Sequence, residues 1–240
     1  MIPQVAVPHY ELTIPSNGKK ITVRPFLVKE ERLLLMAMES DDPNAIIDTV
    51  QQVLKSCIIK PNINLDTLPF FDVDYLFIAL RAKSIGETID VKFRCKNIVD
   101  EKTCGNEFIA KIDVANNRVI ESQSIDHEIK IAGTHIVKLK YPNYTTMKTV
   151  NDNDNVINKK LALLCGCVEY IQQKDKVFTT KDLTKKDLID FFDGLTQEQF
   201  SKFEKFVDNL PSFVITTQAK CNKCGFVHDL EYKDFDSFFV

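Results

Sequence analysis

Val91-Lys92-Phe93-Arg94-Cys95, the polar run 96–103 and Cys104-Gly105-Asn106-Glu107-Phe108-Ile109-Ala110-Lys111-Ile112 read as a strand, a knuckle and a second strand. Near the other end of the chain, Thr217-Gln218-Ala219-Lys220-Cys221 and Cys224-Gly225-Phe226-Val227-His228-Asp229-Leu230-Glu231-Tyr232 repeat the arrangement. In each copy a glycine follows the second cysteine. A knuckle turns its amide N–H groups toward sulfur, and that turn needs a residue tolerant of positive φ. One cysteine pair is half of a tetrahedral site and two pairs are a whole one, so Cys95, Cys104, Cys221 and Cys224 are the candidate ligands of one structural zinc per chain. Four free thiols, or a disulfide within either hairpin, are the other readings of these residues. His228 is either a substitute for one thiolate or an ordinary strand histidine. The run 96–103 is longer than a knuckle loop usually is, so it must bulge away from the metal.

Outward from the cysteine hairpins, the elements fall into two series. Tyr10-Glu11-Leu12-Thr13-Ile14 and Ile21-Thr22-Val23-Arg24-Pro25-Phe26 alternate around Pro15-Ser16-Asn17-Gly18, a hairpin signature. Three amphipathic helices follow. The segment 29–39 places Leu33, Leu34, Met36 and Ala37 on one side; the stretch after Asp42-Pro43 carries Ile46, Ile47, Val50, Val53, Leu54 and Cys57; and the one after Asp72 carries Leu76, Ile78, Ala79 and Leu80 and stops near Gly86. From Asp126 the pattern restarts with a hairpin around Ala132-Gly133-Thr134. Helices are then expected at 156–172, after Thr184 and after Thr196, where Gln199 completes a capping box. The expected class is α+β, with two pseudo-repeated halves, each a hairpin, helices and a cysteine hairpin. Residues 1–115 and 126–240 would be the halves, 116–125 the linker, and a split zinc-ribbon-like site the joint.

The chain has 240 residues, 44% hydrophobic and 10% aromatic, enough for sizeable cores. Seven cysteines, an odd number, no legible leader and no apolar run near the ~20 residues of a membrane span suggest a reducing compartment without membrane insertion. Cys57, Cys165 and Cys167 lie in apolar segments and read as buried thiols. Net charge is −3, and the pairs Lys159-Lys160 and Lys185-Lys186 stand near acids, so a nucleic-acid footprint is not expected. No Gly-rich phosphate loop, nucleophile elbow or His-Glu-x-x-His motif occurs, and no catalytic residues or small-molecule substrate are assigned. The paired carboxylates Asp72/Asp74 and Asp152/Asp154 suit helix starts. The closing Asp234-Phe235-Asp236-Ser237-Phe238-Phe239-Val240 is apolar enough to require docking, either on its own domain or in a partner.

Taken together, the segment Arg24-Pro25-Phe26-Leu27-Val28-Lys29-Glu30-Glu31-Arg32-Leu33-Leu34-Leu35-Met36-Ala37 resembles the opening of the baseplate hub and hub-assembly proteins of T-even-type contractile-tailed bacteriophages. Asp74-Tyr75-Leu76-Phe77-Ile78-Ala79-Leu80-Arg81-Ala82-Lys83-Ser84-Ile85-Gly86-Glu87 resembles the same family, as do Leu210-Pro211-Ser212-Phe213 and Phe238-Phe239. The resemblance implies a non-enzymatic protein that joins the baseplate hub or chaperones its subunits, in the host cytoplasm during assembly or in the virion tail. Its partners would be other baseplate proteins. The expected partner-binding residues are Arg81, Lys83 and Glu87 on the exposed face of their segment, with Phe235, Phe238 and Phe239 in the tail. A zinc-ribbon nucleic-acid-binding or transcription accessory protein is the rival reading. Against it, Lys92, Arg94, Lys96, Lys220 and Lys223 are offset by Asp100, Glu101, Glu107, Asp229 and Glu231.

Overall fold

A computed structural model describes residues 5–40, 42–116, 118–120, 125–131, 133, 135–150 and 154–232. Helices and several small sheets make an α+β chain. It packs as two units that cut across sequence order: residues 1–65, 71–120 and 212–240 form the first, and 66–70 and 121–211 the second. The sequence reading instead kept 126–240 together behind a linker at 116–125.

In the first unit, β1 (Tyr10–Thr13) and β2 (Lys20–Val23) form the expected hairpin, with Tyr10 opposite Val23 and Thr13 opposite Lys20. Gly18 takes φ +67° in its loop. A third strand, β3 (Ile58–Lys60), extends this sheet and was not anticipated. It is too short to show a period-2 pattern and directly follows a helix.

The helices are α1 (Val28–Met38), α2 (Pro43–Cys57) and α3 (Phe70–Ser84). Asp42 caps α2 by accepting from Asn44 N–H, with Pro43 at the first helical position as its fixed φ favours. In α1 the buried residues are Glu30, Leu34 and Ala37, while Leu33, Leu35 and Met36 are exposed, so the apolar side expected from the sequence is rotated. A leucine-rich helix offers more than one apolar face, and burial of Glu30 selects this one. Its carboxylate takes N–H groups of Arg24 at 2.9 Å and Leu27 at 2.8 Å. Helix α3 is buried on most sides, from Phe71 through Asp74 and again at Leu76, Phe77, Ile78, Leu80, Arg81 and Ala82. Asp72 is buried there and accepts hydrogen bonds from Ser16 N and Ser16 Oγ. Burial raises its carboxyl pKa, partly offset by those two donors.

The first cysteine hairpin is β4 (Thr88–Arg94) paired with β7 (Glu107–Asp113). Between them β5 (Ile98–Val99) and β6 (Lys102–Thr103) form a miniature hairpin. Strand β8 (Arg118–Ile120) pairs with β13 (Ser212–Lys220), which also pairs with β14 (Val227–Tyr232) in the second cysteine hairpin.

In the second unit a four-stranded antiparallel sheet has the order β12 (Lys176–Thr179), β11 (Val168–Gln173), β10 (His135–Leu139), β9 (Glu128–Ile131). The short helix α4 (Tyr144–Met147) precedes α5 (Val156–Cys167), α6 (Lys185–Asp193) and α7 (Gln197–Asp208). Thr184 and Thr196 cap α6 and α7 as read from the sequence, each through a capping box. The helix expected over 156–172 ends at Cys167 instead. Its second part, Val168-Glu169-Tyr170-Ile171, is β-branched and aromatic, and enters the sheet as β11 beside β10. Ile129, Val137, Leu139, Leu164, Cys167, Val168, Phe203 and Phe206 belong to this unit's core.

Candidate metal centre

The two cysteine hairpins end in the same backbone device. In the first, Cys95 N–H donates to Asn106 O at 2.8 Å and Gly105 N–H to Cys95 O at 3.1 Å. In the second, Cys221 N–H donates to Phe226 O at 2.8 Å and Gly225 N–H to Cys221 O at 3.0 Å. Gly105 and Gly225 take φ of +62° and +73°, the left-handed conformation the reading required. The long run 96–103 leaves this turn undisturbed because it folds on itself as β5 and β6. Asp100 and Glu101, both at positive φ, make the tip, and Cys104 N–H returns to Asn97 O at 2.7 Å.

Sγ atoms of Cys95, Cys104, Cys221 and Cys224 lie within 4.8 Å of one another. Cys95 and Cys224 are 3.6 Å apart and Cys104 and Cys221 4.0 Å, each pair joining the two hairpins. A tetrahedron with Zn–S bonds of about 2.3 Å has edges of about 3.8 Å, whereas a disulfide needs about 2.0 Å. The four thiols therefore match a metal and not a disulfide, and all seven cysteines are free.

Around the sulfurs stand donors typical of thiolate sites. Asn106 Nδ2 donates to Cys221 Sγ at 3.6 Å, Asn97 Nδ2 to Cys224 Sγ at 3.7 Å, and Lys223 N–H to Cys221 Sγ at 3.4 Å. The Cys224 N–H, ahead of that of Lys223, holds the Cys221 thiol down to about 6 against its burial. The Phe226 N–H likewise lowers Cys224. Burial pushes Cys95 up to about 12. Thiolates this close repel one another and do not ionise together without a cation, and a bound metal reverses that balance.

His228 is buried rather than a surface residue, and its Nε2 is 3.1 Å from Cys95 Sγ. Phe93 and Phe226 pack on its ring at 5.0 and 4.8 Å between centroids. Phe93, Phe108, Ala110, Ala219 and Leu230 bury one side of the cluster. Sequence reasoning missed Asn97, Asn106 and the role of His228. The available signal was a pair of amide residues in the first knuckle, Asn97 inside its loop and Asn106 just after it, each reaching a sulfur of the facing hairpin.

Of the residues expected to contact partners, Lys83 and Glu87 are exposed and pair with each other at 2.9 Å. Arg81 does not share that face, being only 7% exposed on the inner side of α3. Phe71, Val73, Leu76, Phe77 and Ile78 are buried around α3 on nearly all sides, and Arg81 is buried with them. Phe235, Phe238 and Phe239 lie outside the described residues. Among the described residues no helix is long and apolar enough to cross a membrane.

No curated protein and no solved structure matches this chain. A family model does, over residues 7–240, and it spans both cysteine hairpins together with the whole described fold. The chain thus belongs to the family described as T4 bacteriophage base plate protein.

Proposed function

We propose that this protein is a non-enzymatic component of the phage baseplate hub, either a hub subunit or a chaperone of hub assembly. It acts through protein–protein contacts on a scaffold clamped by one structural zinc held by Cys95, Cys104, Cys221 and Cys224. The observation that carries the metal is four thiols within 4.8 Å of one another, framed by two identical backbone turns. Four thiolates saturate a tetrahedral ion and leave no position for substrate, which favours structure over catalysis. Family membership supports partners among other baseplate proteins. The charges around the cluster, Lys92, Arg94, Lys220 and Lys223 against Glu107, Asp229 and Glu231, nearly cancel, which favours protein over nucleic acid as partner.

The shared turn also supports descent of the two hairpins from one duplicated half. Contact surfaces are assigned to Lys83 and Glu87 and to the tail residues Phe235, Phe238 and Phe239. The test is mass spectrometry of proteins that co-purify with the tagged chain from infected cells, set beside the contents of purified virions. Hub subunits in the pull-down with the chain missing from virions mean a chaperone, and presence in both means a hub subunit. Recovery of polymerase or nucleic acid without tail proteins overturns the proposal. Metal analysis of the same preparation is expected to give one zinc per chain.

A further inference from the structure

Among the described residues Arg81 is a buried charge with an unsatisfied nitrogen. It is 7% exposed, and its Nη1 is buried without a hydrogen-bond partner. No described carboxylate forms an ion pair with it. A guanidinium does not neutralise itself in proteins, so burial leaves a charge that an anion would compensate.

The surroundings define what kind of anion would fit. Arg81 lines a cavity of about 50 Å³ in the first unit, otherwise walled by Phe26, Leu34, Leu35, Met38, Phe77 and Ile85, with Glu31 at one side. That volume suits a carboxylate with a methylene. Apart from Glu31 its rim is apolar, since Leu35 and Ile85 are 50% and 57% exposed. Inorganic phosphate or a hydrated ion would gain nothing from such a rim. A carboxylate carried on an apolar neighbour would gain from both parts.

We propose that the Arg81 cavity is a receptor for a partner polypeptide, taking one Asp or Glu side chain onto the guanidinium and an adjacent aromatic or aliphatic side chain onto Leu35 and Ile85. The pocket names the chemistry of a contact and so rests on the reading of this chain as a protein-binding component. Its experiment is separate from co-purification, and a negative result here leaves that reading standing.

The test is a titration of the full-length protein, with its Leu, Ile and Met methyl groups isotope-labelled for NMR, with the capped dipeptide acetyl-Asp-Phe-amide and with its neutral isostere acetyl-Asn-Phe-amide. The expected result is that the Asp peptide shifts the methyl signals of Leu35, Met38 and Ile85. The Asn peptide should bind roughly tenfold more weakly, the difference expected for one charge-assisted pair. Arg81→Met should fold, because it replaces a buried charge by an apolar chain of similar reach, and should abolish the difference between the peptides. Shifts equal for the two peptides, shifts that persist in Arg81→Met, or no shifts at all overturn the proposal. The paired peptides keep the test decisive even if the variant does not fold.

Discussion

His228 Nε2 stands 3.1 Å from Cys95 Sγ, so a residue of the second cysteine hairpin holds the most buried thiol of the first. A ring nitrogen beside a metal-ligating sulfur tunes and orients the ligand without joining the coordination sphere. His228→Ala is therefore expected to retain one metal per chain but to weaken its affinity roughly tenfold or more. Competition with a chromophoric chelator measures this. An unchanged affinity removes His228 from the site, and loss of stoichiometric binding makes it a ligand.

Metal removal should act on one unit and spare the other. The sulfurs clamp β4 and β7 to β13 and β14, while the β9–β12 sheet has its own core. Amide exchange after chelation should accelerate in the two cysteine hairpins, with a loss of about 4 kcal/mol, the linkage expected of a metal at about a thousand times its dissociation constant. Protection in β10 and β11 should not change. Uniform loosening, or none, contradicts a clamp confined to the first unit.

Glu30 sets an acid limit on the first unit. Burial alone would raise its pKa, but hydrogen bonds from Arg24 and Leu27 and the charges of Arg24 and Lys29 hold it down to about 2, against 4.5 ordinarily. The unfolded carboxylate takes up a proton at higher pH than the folded one. The stabilisation is therefore complete above about pH 4.5 and fades as pH falls toward 2. Glu30→Gln should cost about 2 kcal/mol at pH 7, with the gap narrowing in acid. Urea unfolding of both proteins at pH 7 and pH 2.5 compares them, and a gap independent of pH argues against the Arg24 pair as its source.

Gly166 is a helix glycine that alanine should not improve. A Cβ there would meet Thr146 Cγ2 at 2.3 Å, closer than real carbons approach. Against the usual gain from Gly to Ala in a helix, Gly166→Ala should destabilise the second unit by about 1–3 kcal/mol. Thr146→Ser, which deletes that methyl, should recover most of the loss in the double variant. Thermal melts of the four proteins give the coupling; additive effects would mean the two side chains do not meet.

At the tip of the β5–β6 hairpin, Asp100 and Glu101 hold φ of +49° and +62° in a two-residue turn. Asn-Gly is the sequence that such a turn prefers. Replacing the pair should stabilise the hairpin by about 0.5–1 kcal/mol without altering metal affinity. Faster exchange at Ile98 and Thr103 would count against that turn geometry.

The cysteine cluster was legible because knuckle chemistry is local: a cysteine, a glycine at positive φ and a flanking strand all occur within a few residues. Capping at Thr184 and Thr196 was legible for the same reason. Helix faces were not, because α1 is leucine-rich on several sides and the buried pair of Glu30 with Arg24 decides its orientation from outside the helix. Arg81 was read as exposed since it shares a segment with Lys83, yet α3 is enclosed nearly all round and charge alone does not reveal that. Residues 168–171 were read as helix because Val156–Cys167 carries an apolar pattern into them. Pairing with β10, a tertiary event, turned them into strand.

Strand β13 is where the chain comes back. Ser212 pairs with Ile120, and the residues between them make up nearly all of the second unit. During synthesis Cys95 and Cys104 leave the ribosome long before their partners, since Cys224 follows Cys95 by 129 positions. Until then the first hairpin holds two thiols and no complete coordination shell. A metal held by all four sulfurs would therefore be captured only after the second hairpin is made, and a nascent or prematurely terminated chain would be distinguishable from a finished one by its inability to retain the ion.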